Sequence, residues 1–395
     1  MKQSLGNKIA HLSVEKFKSL PKTGKPKETE WTILSSIVKE QNSTFEVVSI
    51  GTGCKCIGKT KMCPKGTIVN DSHAEVMCRR AFLRYVYSHL TEDSAIFNSH
   101  KNKTFSLKPG IKFHFFTTQV PCGDAAIFPQ DHKNEDAGSI IEDSTSENIP
   151  AKKRKLEDIF RTGAKCLKDS MVQDPKTDGA TYHVLGVVRT KPGRGDPTAS
   201  VSCSDKLAKW CHLGIQGALL MLFLAEPVYL SSFTILKESP FCQKSLERAL
   251  FERVTPSLSL PYQKHKLEFY KADKSFVYRK TENRLACSSS ICWWYSQNEQ
   301  QNFEVAVNGR KQGVTKKNYL TEKGRLGICK LELFKTFRDK CLELKIDLDS
   351  DMENSTYEQA KRLSKSYQNN WIILKEQFRT WTMKDPELLH FTVTG

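Results

Sequence analysis

The 395-residue chain has little that would carry it into a membrane. Its longest apolar stretch, Gly217–Ala225, falls well short of the roughly 20 residues that span a bilayer. Residues Met1–Leu20 hold no apolar block of the secretory kind, which speaks against a leader peptide. Internal repeats are lacking. Acidic residues are in deficit, 44 Asp and Glu against 61 Lys and Arg, for a formal net charge of +17. The plain reading is a basic soluble surface. The sharper one is a polyanion partner, because an excess of Lys and Arg supplies the counterion-release component of nucleic-acid affinity. Cysteine is not scarce, but its 13 copies are an odd number in a chain without secretory features. That argues for a reducing compartment and against a disulfide framework. The expected location is intracellular, in nucleus, cytoplasm or both.

The pattern of residues predicts helices interleaved with strands, hence an α/β layered domain. A helix is expected within residues 1–30, followed by a Lys/Pro-rich connector with Lys18, Lys22, Lys25 and Lys27. Residues 31–39 and 45–50 read as a β-hairpin about Gln41-Asn42-Ser43, and Gly51-Thr52-Gly53 breaks its second strand. A helix with Val76, Leu83, Val86 and Leu90 on one face follows, with Asp71 or Ser72 as its cap. Residues 111–116 alternate as a half-buried strand. Gln130–Pro150 is acidic and poor in large apolar groups, so 130–158 is expected to be a disordered insertion. It ends in Lys152-Lys153-Arg154-Lys155, a run compatible with a nuclear import signal or with a solvated charge cluster. Tyr182–Val188 reads as a strand. A helix starts at Cys203, and its later part, Leu213–Ala225, is apolar on all sides and therefore buried. Val228–Leu236 reads as a strand. Lys244–Val254, Ile328–Leu344 and Tyr357–Trp381 read as helices. No linker precedes the C-terminal helices, so residues 1–395 are expected to form one domain.

Two tripeptides carry the chemistry. His73-Ala74-Glu75 opens a helix, and Pro121-Cys122-Gly123 ends a strand. His and Cys ligate zinc, and a Glu two residues after a ligand His is placed to move protons. H-x-E followed by P-C-x-x-C is the pattern of zinc nucleobase deaminases. Here the second Cys of that pattern is absent, because position 125 is Ala. A hydrolytic zinc site needs a third protein ligand. Cys54, Cys56, Cys63, Cys78 and Cys203 are the candidates, each of which can instead be a small buried hydrophobe. Cys78 lies about a turn and a half beyond His73 on one helix and is expected to pack. Cys203 fits best, since Val201–Asp205 repeats the loop-to-helix setting of the other two ligands. Glu75 taken alone would be a first-turn acid complementing the helix dipole. Beside three ligands it becomes the proton carrier.

With these residues the chain resembles the editing deaminase domain of adenosine deaminases acting on RNA, above all the tRNA-specific branch. The resemblance covers nearly the whole chain. It is carried by Asn70–Glu75, Pro121–Asp124, Lys191–Arg194, and Ser202–Lys206 with Gly214–Gly217. In that family the second Cys lies in a downstream Ser-Cys-Ser-Asp-Lys motif, here Ser202–Lys206. The resemblance implies a cytidine-deaminase-like α-β-α core with a mixed sheet, extended by C-terminal helices around a buried inositol hexakisphosphate. It implies one catalytic zinc on His73, Cys122 and Cys203, with Glu75 as the catalytic acid–base. For the inositol phosphate it implies Lys55, Asn70, Lys206, Lys209, Lys330, Tyr357, Lys361, Tyr367, Trp381 and Lys384, with Arg79, Arg80 and Lys206 leading from that pocket toward the zinc ligands. Trp371 departs from the family's Lys, and Met383 from its usual acid. From spacing alone, Tyr357 and Lys361 merely share a helix face.

Messenger-RNA editors of this family carry double-stranded-RNA-binding domains before the deaminase, and about fifty residues before Gly51 leave no room for one. Ala126 also departs from the Arg that such editors place there. The expectation is therefore the tRNA branch, acting on the adenosine 3′ of the anticodon (position thirty-seven) of tRNA-Ala. An exposed loop base is cheap to flip. RNA would meet Lys18–Lys27, Lys59–Lys65 or Arg310–Lys317, and Trp293-Trp294 could stack bases or simply pack. No protein partner is implied. The competing readings are a zinc cytidine deaminase, a catalytically inactive RNA-binding subunit, and a structural zinc module on Cys54, Cys56 and Cys63.

Overall fold

An eight-stranded mixed sheet organises the computed structural model, which describes residues 2–129, 159–168, 170–177, 179–193, 195–296, 302–319, 321–346, 355–383 and 385–393. The expected insertion at 130–158, with its Lys152–Lys155 run, lies outside the described residues, as do Arg194 and Lys384. The sheet comprises β1 (Leu34–Gln41), β2 (Thr44–Thr52), β3 (Lys112–Thr117), β4 (Ser232–Leu236), β5 (Glu268–Ala272), β6 (Ser289–Trp294), β7 (Phe303–Val307) and β8 (Arg310–Lys311). Its order is β5-β4-β3-β1-β2-β6-β7-β8. Strand β4 runs parallel to β3 and β5, and the other neighbours are antiparallel. Among the described residues, seven helices accompany it: α1 (Lys2–Ser19), α2 (Ala74–Ser88), α3 (Cys203–Leu213), α4 (Gln243–Glu247), α5 (Lys330–Glu343), α6 (Tyr357–Arg362) and α7 (Lys365–Gln377).

The layers follow from the period-2 alternation of the strands. Phe116 and Trp293 face one side, where Ile9, Val14 and Phe17 of α1 cover them. Phe113, Phe115 and Trp294 face the other, against Met77, Phe82 and Val86 of α2 and the C-terminal helices. The Trp293-Trp294 pair is therefore core on both faces, and stacking on RNA is closed to it. The hairpin turn falls where expected. Asn42 (φ 51°) and Ser43 (φ 62°) close a two-residue loop, the left-handed geometry that matches strand twist.

Strand β2 runs through Gly51 instead of breaking there, and the reason is the helix beside it. A Cβ on Gly51 would lie 2.2 Å from the Cys78 amide nitrogen and 2.4 Å from the Ala74 carbonyl oxygen. Glycine lets β2 and the start of α2 touch backbone to backbone. Since no rotamer can relieve that clash, Gly51→Ala is expected to cost at least about 3 kcal/mol. A denaturant midpoint unchanged from wild type would contradict this account.

Other expectations need correction. Tyr182–Val188 is not a strand. Gly179–Tyr182 is a 3₁₀ turn, and Asp174 and Arg189 take the Val184 amide and carbonyl as side-chain partners, leaving nothing for a ladder. The apolar run Leu213–Ala225 is buried, but it is not a continuation of the helix. Gly214 (φ 74°) ends α3, Gly217 (φ 79°) turns again, and Gln216 serves the backbone by accepting from Val228 and donating to Leu213. Tyr357–Trp381 splits into α6 and α7 around Ser364, with a Thr356–Gln359 capping box at the first start. Nor do Asp71 and Ser72 cap α2. Asp71–His73 pairs as a short strand with Cys54–Cys56, and His73 occupies the cap position with extended backbone and no capping bond.

Candidate active site

Three segments meet beside the start of α2: the Cys54–Cys56/Asp71–His73 ribbon, the loop after β3, and the first turn of α3. The loop is held to the helix by paired contacts. The Cys203 amide donates to the Cys122 sulfur (3.3 Å), while the Ser204 amide (3.0 Å) and hydroxyl (2.9 Å) both donate to the Cys122 carbonyl. Gly123 permits this approach: at φ 105° it also brings a notional Cβ within 2.1 Å of the Ser202 hydroxyl. Each letter of Ser-Cys-Ser-Asp-Lys has a task. Ser202 caps α3 through the Asp205 amide (3.2 Å). Asp205, fully buried, pairs with Arg253 (2.7 Å) and accepts from the Arg189 amide. Cys203 and Lys206 then point to neighbouring sites.

Lys191 is the central cation. Its buried ammonium donates to Asp71 Oδ2 (2.7 Å) and to the Cys203 sulfur (3.1 Å), and Lys206 reaches the same Asp71 oxygen. Burial disfavours the Asp71 carboxylate, yet Lys191, Lys206 and His73 together hold it well below the usual range. Burial likewise opposes the Lys191 charge, and Asp71 and Cys203 more than restore it. The Cys203 hydrogen bond brings the Cys122 thiol down to about 6, whereas burial pushes Cys203 up. The two sulfurs thus carry a ready thiolate beside a helix N-terminus, which favours negative charge.

His73 stands next to this pair with its Nδ1 turned to Asp71 Oδ1 (2.9 Å) and toward the Cys56 sulfur (3.5 Å). Among the described residues, the ligand atoms that gather within 4.8 Å of one another are those of Cys56, Asp71 and His73, not those of the sequence-derived trio. Asp71 captures the imidazole because it is two residues away and shielded from water. It is a poor metal ligand, since two ammonium groups already neutralise it. An imidazole whose Nδ1 meets a carboxylate is the arrangement found behind metal-bound histidines, and it leaves Nε2 for the ion. The chemistry of the donor set, two sulfurs sharing a ready thiolate and a carboxylate-backed imidazole, fits zinc. Glu75 completes the fit. It is 1% exposed, and its Oε2 has no protein partner. A buried, unsatisfied carboxylate oxygen beside metal-type ligands is a group waiting for water or substrate.

Of the other cysteines, Cys78 packs at 0% exposure against Ser49, as expected. Cys54, Cys56 and Cys63 do not assemble into a structural zinc module. Cys63 bonds Thr67, and Cys56 lies against His73.

Lys206 leads from Asp71 into a cavity of about 350 Å³. Asn70, Arg79, Arg80, Lys206, Lys209, Lys330, Tyr357, Lys361, Tyr367 and Trp381 all line it. Lys55 does not. It sits on the ribbon opposite Ser72, and strand alternation turns it away. Six cationic side chains thus face Asp71 across one small space. Arg79 Nε donates to the Ile215 carbonyl (2.8 Å), and burial takes its pKa down to about 10. Arg80 keeps a buried Nη2 without a protein partner. The Lys209 ammonium lies 3.4 Å from the Trp371 ring centroid, so the residue that departs from the family's Lys still organises a cation. So many cations around one small cavity, Lys330 buried and the rest half-buried, favour an anion between them. Residue spacing could not have revealed the Asp71–Lys191 contact, whose partners lie 120 positions apart.

The profile of the adenosine-deaminase (editase) domain matches residues 49–385. A Drosophila melanogaster protein named tRNA-specific adenosine deaminase 1 is 37% identical over 97% of this chain and 96% of its own length. The Homo sapiens protein of the same name is 32% identical over 98% of this chain and 99% of its own length. The Mus musculus double-stranded RNA-specific adenosine deaminase is 32% identical over 63% of this chain but only 21% of its own length.

Proposed function

Because the chain belongs to the adenosine-deaminase (editase) domain family and is an adenosine deaminase, we propose that its substrate is an adenosine in tRNA, deaminated hydrolytically to inosine with one zinc. The similarity to tRNA-specific relatives along nearly their whole length supports this reading over a double-stranded RNA substrate. The proposed target is the adenosine 3′ of the anticodon of tRNA-Ala, since an unpaired loop base can be flipped at little cost. The reading places the enzyme inside the cell, where its free cysteines stay reduced.

His73, Cys122 and Cys203 would hold the zinc, which when bound supplies a water with a pKa of about 7. Lys191 donates to the Cys203 sulfur and Asp71 keeps His73 oriented. Glu75 takes a proton from the water and gives it to N1 of the purine as the water oxygen bonds to C6. A second proton passes through Glu75 to the amino group, the C6–N bond breaks, and ammonia leaves. The oxygen remains as the carbonyl of inosine. Arg79, Arg80, Lys206, Lys209, Lys330, Lys361, Asn70, Tyr357, Tyr367 and Trp381 would hold inositol hexakisphosphate, which when bound supplies the missing negative charge. Lys206–Asp71–Lys191–Cys203 then joins that pocket to the site by contacts between charged groups.

The test is incubation of the zinc-replete protein with a panel of tRNA transcripts, followed by nuclease digestion and mass spectrometry. Inosine in tRNA-Ala, lost when the adenosine 3′ of the anticodon is replaced by guanosine, is expected. Inosine in duplex RNA alone would reject the tRNA reading.

A further inference from the structure

Three lysine-rich stretches could meet RNA, and the first of them borders a groove. Helix α1 ends at Ser19, and the connector behind it folds against the loop after β5. Between them lies a groove of about 590 Å³. Its walls are apolar and aromatic: Phe17, Leu20 and Pro26 on one side, Phe276, Val277 and Tyr278 on the other. Phe17, Phe276 and Tyr278 meet edge to face, which fixes the ring positions. Val277 is 62% exposed at the lip. The rim is cationic. Lys18 and Lys22 line the groove, Lys27 is exposed next to it, and the Lys280 ammonium stands 5.7 Å from the Trp31 ring centroid. Lys25 does structural duty instead, donating to the Lys18 and Leu20 carbonyls to close the turn.

A run of backbone hydrogen bonds ties the groove to the start of α2. The Tyr278 carbonyl accepts from the Thr32 amide, the Ile33 carbonyl from Gly53, and the Gly53 carbonyl from Ala74, the first residue of α2. At about 5 Å for each strand-to-strand step, Tyr278 stands on the order of 15 Å from His73. The same loop returns to pair Leu285–Ala286 with Glu30–Trp31.

We propose that this groove and the strip Tyr278–Lys280–Trp31 are the docking track for the single-stranded RNA flanking the reactive adenosine. An unpaired base stacks at the lip, on the half-buried Tyr278 beside Val277, and the lysines meet its phosphates. Apolar walls inside a cationic rim fit a nucleic-acid strand, which offers stackable faces and a negative backbone together. This inference rests on the tRNA reading.

The full chain is tested with fluorescently labelled tRNA, its binding measured across a range of KCl. Lys22→Ala, Lys27→Ala and Lys280→Ala are each expected to weaken binding and to lower the slope of log K against log salt by about 0.7–0.9. Tyr278→Leu keeps an apolar side chain and removes the ring, and about tenfold weaker binding is expected. Val277→Glu, at the exposed lip, is expected to weaken binding by repulsion while leaving the melting temperature in place. Wild-type slope and affinity in a variant combining Lys22→Ala, Lys27→Ala and Lys280→Ala, with Val277→Glu equally unaffected, would overturn the docking track. A wild-type protein that neither binds nor deaminates tRNA would instead overturn the substrate reading beneath it.

Discussion

Glu75→Gln is expected to leave a folded, metal-loaded protein that forms inosine about 10²–10⁴-fold more slowly than wild type. The amide has the carboxylate's shape, and the Glu75 Oε2 atom has no protein hydrogen bond to lose, so the substitution removes proton transfer and little else. Two measurements are needed on one preparation: zinc per chain, and inosine in digested RNA under single-turnover conditions. Activity within tenfold of wild type would reject Glu75 as the proton carrier. Loss of zinc along with activity would show that Glu75 holds the site together instead. The size of the effect follows from its position. The side chain is buried, enters from the first turn of α2, and shares its surroundings with Cys122 and Cys203.

Arg80→Met is expected to destabilise the protein by about 3–5 kcal/mol and to lower the phosphorus that co-purifies with it. The sign discriminates. If a polyanion fills the cavity, deleting Arg80 leaves buried phosphate charge uncompensated, and the urea midpoint falls. If the cavity holds no anion, the substitution removes an isolated buried cation whose Nη2 lacks a partner, and stability is unchanged or rises. Phosphorus analysis of the wild-type chain fixes the reference. Neither readout depends on enzymatic activity, so pocket and active site are tested separately.

The local chemistry was legible in the residues. His73-Ala74-Glu75, Pro121-Cys122-Gly123 and Ser202–Lys206 stand out as candidate site segments because each is a short motif tied to a helix start or a tight loop, and the fold brings the Cys122 and Cys203 segments into contact. The hairpin at Asn42-Ser43, the alternation of residues 111–116 and the packing of Cys78 were equally local. The family resemblance also pointed to the residues that line the cation-rich cavity. Helix continuity was misread at Leu213–Ala225 and Tyr357–Trp381. In the first of these, all-round apolarity signals burial but says nothing about backbone path, and glycines at positive φ redirect the chain.

What only the tertiary structure decided is who touches whom. Asp71 looked like a helix cap, and folding made it the junction of His73, Lys191 and Lys206. Lys55 matched a pocket residue by motif, and the ribbon turned it elsewhere. Trp293-Trp294 offered two stacking faces, and the sheet buried one on each side. Covalent neighbours determine motif, cap and turn. Long-range ion pairs and cavities arise only when segments more than a hundred residues apart lose their water together, and no stretch of sequence contains both halves of that event.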